Sequence, residues 1–117
     1  MPFDRNADRL EDIREAIGHA REFVTGMTYE QFSRDTMCIY AVIRCLEIIS
    51  EASRRLDPQV KSRHPELPWA QIAGAGNVYR HDYPGVRADT IWGTIQSALP
   101  VLLAVVENEL QSGGGKT

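Results

Sequence analysis

Apolar residues recur every three or four positions along almost the whole chain, and no stretch alternates with period two for long enough to make a strand. From Ala7 to Val24 the set Leu10, Ile13, Ile17, Ala20 and Val24, with Arg9, Glu11, Asp12, Arg14 and Glu15 between, predicts an amphipathic helix. Thr28-Tyr29-Glu30-Gln31 reads as a capping box opening a short second helix that ends near Arg34. Asp35 or Thr36 can cap a long central helix marked by Ile39, Val42, Ile43, Leu46, Ile49 and Leu56. Asp57-Pro58 ends it or begins a short extra turn, and residues 63–68 read as a loop. A fourth helix is expected from about Trp69 toward Tyr83, weakened by Gly74 and Gly76 and stopped by Pro84-Gly85. The last, from about Ala88 to Leu110, carries Ile91, Ile95, Leu99, Leu102, Val106 and Leu110 on one stripe, with a bend expected at Pro100. The fold expected is all-α: an antiparallel bundle of four to five helices in one domain over residues 1–111, followed by a loose tail over 112–117.

At 117 residues the chain has room for one core and no second domain. Its net charge of −3 argues against a surface that is basic throughout, but leaves room for a small positive cleft made by a few arginines. No uninterrupted apolar run approaches the ~20 residues needed to cross a bilayer, and Met1-Pro2-Phe3-Asp4-Arg5-Asn6 has no hydrophobic signal core. A cytoplasmic protein with no membrane role is therefore expected. Cys38 and Cys45 lie in an apolar helical stretch and read as small hydrophobes. His19, His64 and His81 lack the paired spacings of metal sites, so neither metal nor cofactor is expected. The terminal Gly-Lys-Thr is not a phosphate loop, because the first glycine of that motif would fall on Leu110.

The segment richest in chemistry is Ala75-Gly76-Asn77-Val78-Tyr79-Arg80-His81-Asp82-Tyr83-Pro84. On a helix, Asn77 and His81 share a face one turn apart, Tyr79 and Tyr83 form a second pair, and Arg80 stands between. A helix C-terminus favours imidazolium, so His81 is placed to change charge near neutral pH. The plainer reading is a capping cluster, with His81 and Arg80 on the last carbonyls and the tyrosines packed on the bundle.

Asn77-Val78-Tyr79-Arg80-His81-Asp82-Tyr83 resembles the signature of the HepT-like family of the HEPN superfamily, whose common form is Arg, Asn, three variable residues, His, any residue, Tyr. The stretch from Ala41 to Ala52 is similar to the family's central helix, Trp69 through Gly74 to its approach to the motif, and Trp92 and Leu99-Pro100 to its last helix. The resemblance implies a homodimer with the motif helices near a shared cleft. It also implies an RNA-cleaving toxin, encoded beside an MNT-type nucleotidyltransferase that acts as antitoxin by attaching AMP to a motif tyrosine. Carried over, His81 is the catalytic histidine, Asn77 a motif polar residue and Tyr83 the candidate for AMP attachment. Arg44 and Tyr79 are candidate contacts for RNA or nucleotide. The family's arginine position is Gly76 here, which leaves Arg80 or Arg44 to supply the positive charge. The alternatives are a catalytically inactive nucleotide- or protein-binding partner of the nucleotidyltransferase, and a structural dimerisation bundle.

Overall fold

A computed structural model describes the backbone of residues 5–81 and 87–114, and the side chains of residues 5–77 and 87–112. Among the described residues there are helices and no strand. In chain order they are α1 (Arg5–Phe23), α2 (Tyr29–Arg34), α3 (Thr36–Arg54), α4 (Pro58–Arg63), α5 (Trp69–His81), α6 (Ala88–Gly93) and α7 (Leu99–Gly114). A π-helical turn, Thr94–Ala98, joins α6 to α7 in one continuous run. Three long helices and this run make the bundle expected from the periodicity, and α2 and α4 are short links.

The local signals act where they stand in the chain. The Thr28 hydroxyl accepts from the Gln31 amide at 3.1 Å while the Gln31 side chain accepts from the Thr28 amide at 2.9 Å, closing the capping box. Asp35 rather than Thr36 caps α3, accepting from the Cys38 amide at 2.9 Å. Asp57 caps α4, whose first residue is Pro58, so the Asp-Pro pair begins an extra turn. Gly26, at φ +79°, reverses the chain after α1.

Long-range contacts set the helix directions. The Asp57 amide donates to Asn6 Oδ1 at 3.0 Å, and Cys38 Sγ lies 3.5 Å from the Phe23 carbonyl, so α1 and α3 run antiparallel. Both pack the stripes read from the sequence: Leu10, Ile13, Ile17 and Ala20 from α1 meet Val42, Cys45, Leu46 and Ile49 from α3 in the core. Ile91, Ile95, Leu99, Leu102 and Val106 complete it from the last run. Phe32 of α2 is fully buried, its ring 5.3 Å from that of Trp92, which also meets Tyr29 edge-on at 6.1 Å. Truncating Phe32 to alanine removes a burial worth about 3–5 kcal/mol.

At Pro100 the expected bend takes the form of the π turn. The Leu99 amide donates to the Thr94 carbonyl, five residues back, in the turn immediately before the proline. Pro100 has no N–H and its ring crowds the carbonyl four residues before it, so a widened turn relieves the conflict. The helix then continues to Gly114, beyond the expected start of the tail at 112. By length and composition the run Ala88–Ser112 passes as a membrane span, its most apolar 18 residues having a mean hydropathy of 1.4, yet its apolar stripe is spent on the bundle core.

Candidate active site

The motif lies at the C-terminal end of α5, and three contacts position that helix. At its start the Trp69 indole N–H donates to the His64 carbonyl at 2.8 Å. In its middle, the hydroxyl of Ser50 on α3 donates to the Ala73 carbonyl at 2.7 Å and accepts from the Gly76 amide at 2.9 Å. Ser50 is 2% exposed and Gly76 is buried against it. A Cβ added at Gly76 would lie 2.8 Å from Ser50 Oγ and 3.1 Å from Ser50 Cβ. Position 76, where the resemblance expects an arginine, is therefore held in a helix–helix contact too close for a Cβ unless Ser50 or α5 shifts.

Ala73 and Gly76 face Ser50. α3 and the last run both go from the end where Trp92 meets Phe32 to the end where Arg63 meets Glu109, and α5 starts at the latter beside His64, so α5 runs antiparallel to α3. Five residues of helix advance the chain by about 7.5 Å, which brings the His81 backbone to the level of Ile43 and Arg44 on α3. Asn77 is exposed on α5. The side chains of Tyr79, Arg80 and His81, and residue Tyr83 altogether, lie outside the described residues.

Arg44 presents a side chain that is 71% exposed and makes a long ion pair to Glu47, at 3.4 Å. It stands at the edge of a cleft of about 400 Å³ between α1 and α3, where Arg9, Arg44 and Arg55 face Asp12, Glu47 and Glu51. That cleft is balanced in charge, so the pull on an anion comes from Arg44 itself rather than from the cleft as a whole. One turn before Arg44, Tyr40 is 53% exposed. Sequence reading passed over it; the signal was its spacing of four from Arg44 on the polar face of an otherwise apolar helix.

A second polar cluster was not anticipated. Glu109 of α7, 8% exposed, accepts from Arg63 through both oxygens, at 3.0 Å from Nε and 2.7 Å from the terminal nitrogen. His64 Nε2 stands 2.7 Å from the same carboxylate. The Arg63 guanidinium first, then the His64 ring, hold the Glu109 carboxyl down to about 2 against burial, which pulls it upward. His64, read from sequence as an unremarked loop residue, ties the approach to α5 onto α7.

Comparison with known proteins places this geometry in a family. The model of the family described as "Ribonuclease HepT-like" matches residues 13–109. The chain is 41% identical over 95 residues to the "Probable ribonuclease HepT" of Thermococcus cleftensis, covering 81% of this chain and 86% of that one. It is 35% identical over 98 residues to a protein of Methanocaldococcus jannaschii named "Putative RNase", covering 84% and 90% of the two chains. A protein of the same description from Caldanaerobacter subterraneus is 36% identical over 102 residues, covering 87% and 91%. No solved structure matches the chain. The all-α bundle, with the motif closing α5, belongs to the HepT-like ribonuclease family of the HEPN superfamily.

Proposed function

We propose that this chain is a homodimeric, metal-independent endoribonuclease, the toxin of a toxin–antitoxin pair in the cytoplasm. In this reading it is silenced when an MNT-type nucleotidyltransferase attaches AMP to Tyr83. The observation that carries the reading is the family match across residues 13–109, which includes Asn77, His81 and Tyr83.

RNA hydrolysis without a metal needs a base for the 2′-hydroxyl proton, an acid for the leaving 5′-oxygen and a cation for the charge on the phosphorane. His81 supplies acid or base catalysis and its counterpart in the second protomer supplies the other, with Asn77 orienting the phosphate. Arg80 or Arg44 supplies the charge, and Tyr79 contacts the nucleotide. Exposed Arg44 and Tyr40, on the helix beside the motif, suit a phosphate and an unpaired base. DNA lacks the attacking hydroxyl and is not cleaved. AMP on Tyr83 would set a phosphodiester anion and a nucleoside where RNA must lie, excluding it by bulk and by like charge.

The dimer has a face to form on. A groove of about 430 Å³ runs between α5 and α7 over α3, with Leu46, Ile49, Ile72, Leu99, Val101 and Leu102 among its lining, and Val101 is 52% exposed. A second reading, a catalytically inactive partner of the nucleotidyltransferase, is favoured by one observation: position 76, where the family has its arginine, is used for packing.

The deciding experiment is cleavage of a defined RNA in EDTA by wild type, His81→Ala and Arg80→Ala over a salt series. Cleavage lost in His81→Ala supports the ribonuclease, and loss in Arg80→Ala assigns the cation. Absence of cleavage by folded, unmodified dimer leaves the inactive partner. For the regulatory half, co-expression with the nucleotidyltransferase should add the mass of one or more AMP units, and Tyr83→Phe should abolish the addition.

A further inference from the structure

We propose that Ser50 is the positioning residue of the motif helix, setting the height and rotation at which α5 presents Asn77 and His81. The proposal deepens the ribonuclease reading and rests on it for the catalytic readout alone.

A helix lying on a neighbour can slide along its axis and turn about it, and a slide of one residue couples about 1.5 Å to about 100°. Apolar side chains resist this weakly, since many packings of similar energy are available to them. The Ser50 hydroxyl is different in kind. From one oxygen it donates to the Ala73 carbonyl at 2.7 Å and accepts from the Gly76 amide at 2.9 Å. These backbone groups lie three residues apart on one side of α5, so satisfying both admits one height and one rotation. Ser50 is 2% exposed, and water cannot replace the hydroxyl without opening the interface.

Gly76 is the other half of the device. A side chain there would meet Ser50 Oγ at 2.8 Å, so glycine is what lets the α5 backbone come within reach of the hydroxyl. The glycine that removes the family's arginine thus also provides the seat. Asn77 is the next residue and His81 lies five on, little more than one turn from the anchored amide, so an error at the seat passes to them almost undiminished. Ser53, on the same helix and fully buried, supplies the contrast: its hydroxyl has no hydrogen-bond partner among the described residues.

The test compares Ser50→Ala and Gly76→Ala with Ser53→Ala in the full ¹⁵N-labelled chain. The readouts are the backbone amide resonances of residues 77–81, the imidazole titration of His81, and kcat and KM on a defined RNA in EDTA. For Ser50→Ala and Gly76→Ala the expected result is displaced resonances through 77–81, a moved His81 titration, and a kcat reduced roughly ten- to a hundred-fold with KM near wild type. Ser53→Ala should leave all of these unchanged. Changes confined to residues 73 and 76, with wild-type kcat and His81 titration, would overturn the proposal. If Ser50→Ala does not fold, Gly76→Ala decides by the same readouts. If wild type does not cleave RNA, the ribonuclease reading falls, and the resonances and the His81 titration alone decide the role of Ser50.

Discussion

His64 and Glu109, forty-five residues apart in the chain, meet with Nε2 2.7 Å from Oε2, and Arg63 closes on the same carboxylate through two nitrogens. This joins the approach to α5 to the C-terminal half of α7. Glu109 has an ordinary carboxyl value of 4.5 and is held at about 2 in the fold, so the native state favours its ionised form. The stabilisation is therefore fully present above pH 4.5 and is lost as pH falls from there toward 2. A shift of that size is worth about 3 kcal/mol at most. Arg63 is half exposed, and solvent screening brings the expected contribution to about 2 kcal/mol. Urea unfolding at pH 7 should show Glu109→Gln less stable by about that amount, and the difference from wild type should shrink as the comparison is repeated below pH 4.5.

Two glycines of α5 should respond to alanine in opposite senses. A Cβ at Gly74 meets nothing within 4 Å, so Gly74→Ala gains helix propensity alone, about 0.5–1 kcal/mol of stability. Gly76→Ala drives a Cβ to 2.8 Å from Ser50 Oγ and should destabilise by about 1–3 kcal/mol. Thermal melts of the two single variants check the sign of each; a stabilised Gly76→Ala would contradict the close approach.

RNA affinity should fall with salt, and Arg44→Ala should flatten that dependence by about 0.7 in log–log slope, the value of one phosphate contact on a single strand. Since Arg44 is 71% exposed and its ion pair to Glu47 is long, its removal should leave stability within about 0.5 kcal/mol of wild type. Binding curves taken with the His81→Ala protein, which should bind without cutting, separate this effect from catalysis. An unchanged slope would remove Arg44 from the interface.

Val101→Asp should convert the proposed dimer to monomer. Val101 is 52% exposed in the single chain, so a charge there costs the monomer fold little while placing an unpaired carboxylate in the proposed interface. Light scattering at micromolar concentration reads the outcome directly. A variant that stays dimeric would move the interface off the groove between α5 and α7.

What could be read in advance was whatever depends on neighbours in the chain. The Thr28–Gln31 capping box spans three residues, the caps at Asp35 and Asp57 act on amides within three residues, and the core stripes follow a period of about one turn. The Ser50–Gly76 seat joins residues 26 apart, and the Glu109 cluster joins residues 45 and 46 apart. Nothing in a helical period says which serine will face which glycine, so Gly76 read as a weak point in a helix and as a missing arginine, not as a packing seat. Arg63 and His64 read as loop because their partner lies on another helix. Of the candidate site, Asn77 and Arg44 are exposed as an RNA contact requires, whereas the remaining motif side chains lie outside the described residues.

The π turn before Pro100 makes the last helical run behave as a shaft with a phase shifter in it. Ile91, Ile95 and Leu99 advance by fours through the widened turn, and Leu102 and Val106 resume the ordinary three-four beat. That extra residue lets Trp92 address the aromatic rings of α2 while the far end of the same run keeps Val106 in the core and Glu109 on Arg63. Deleting one residue between Thr94 and Ala98 would close the widened turn into plain α-helix with its flanking faces nearly in phase, whereas the same deletion elsewhere in the run would rotate one end by about 100° against the other. The widened turn is therefore where the run takes up an extra residue while two distant docking faces stay in step, and its own side chains are mostly exposed.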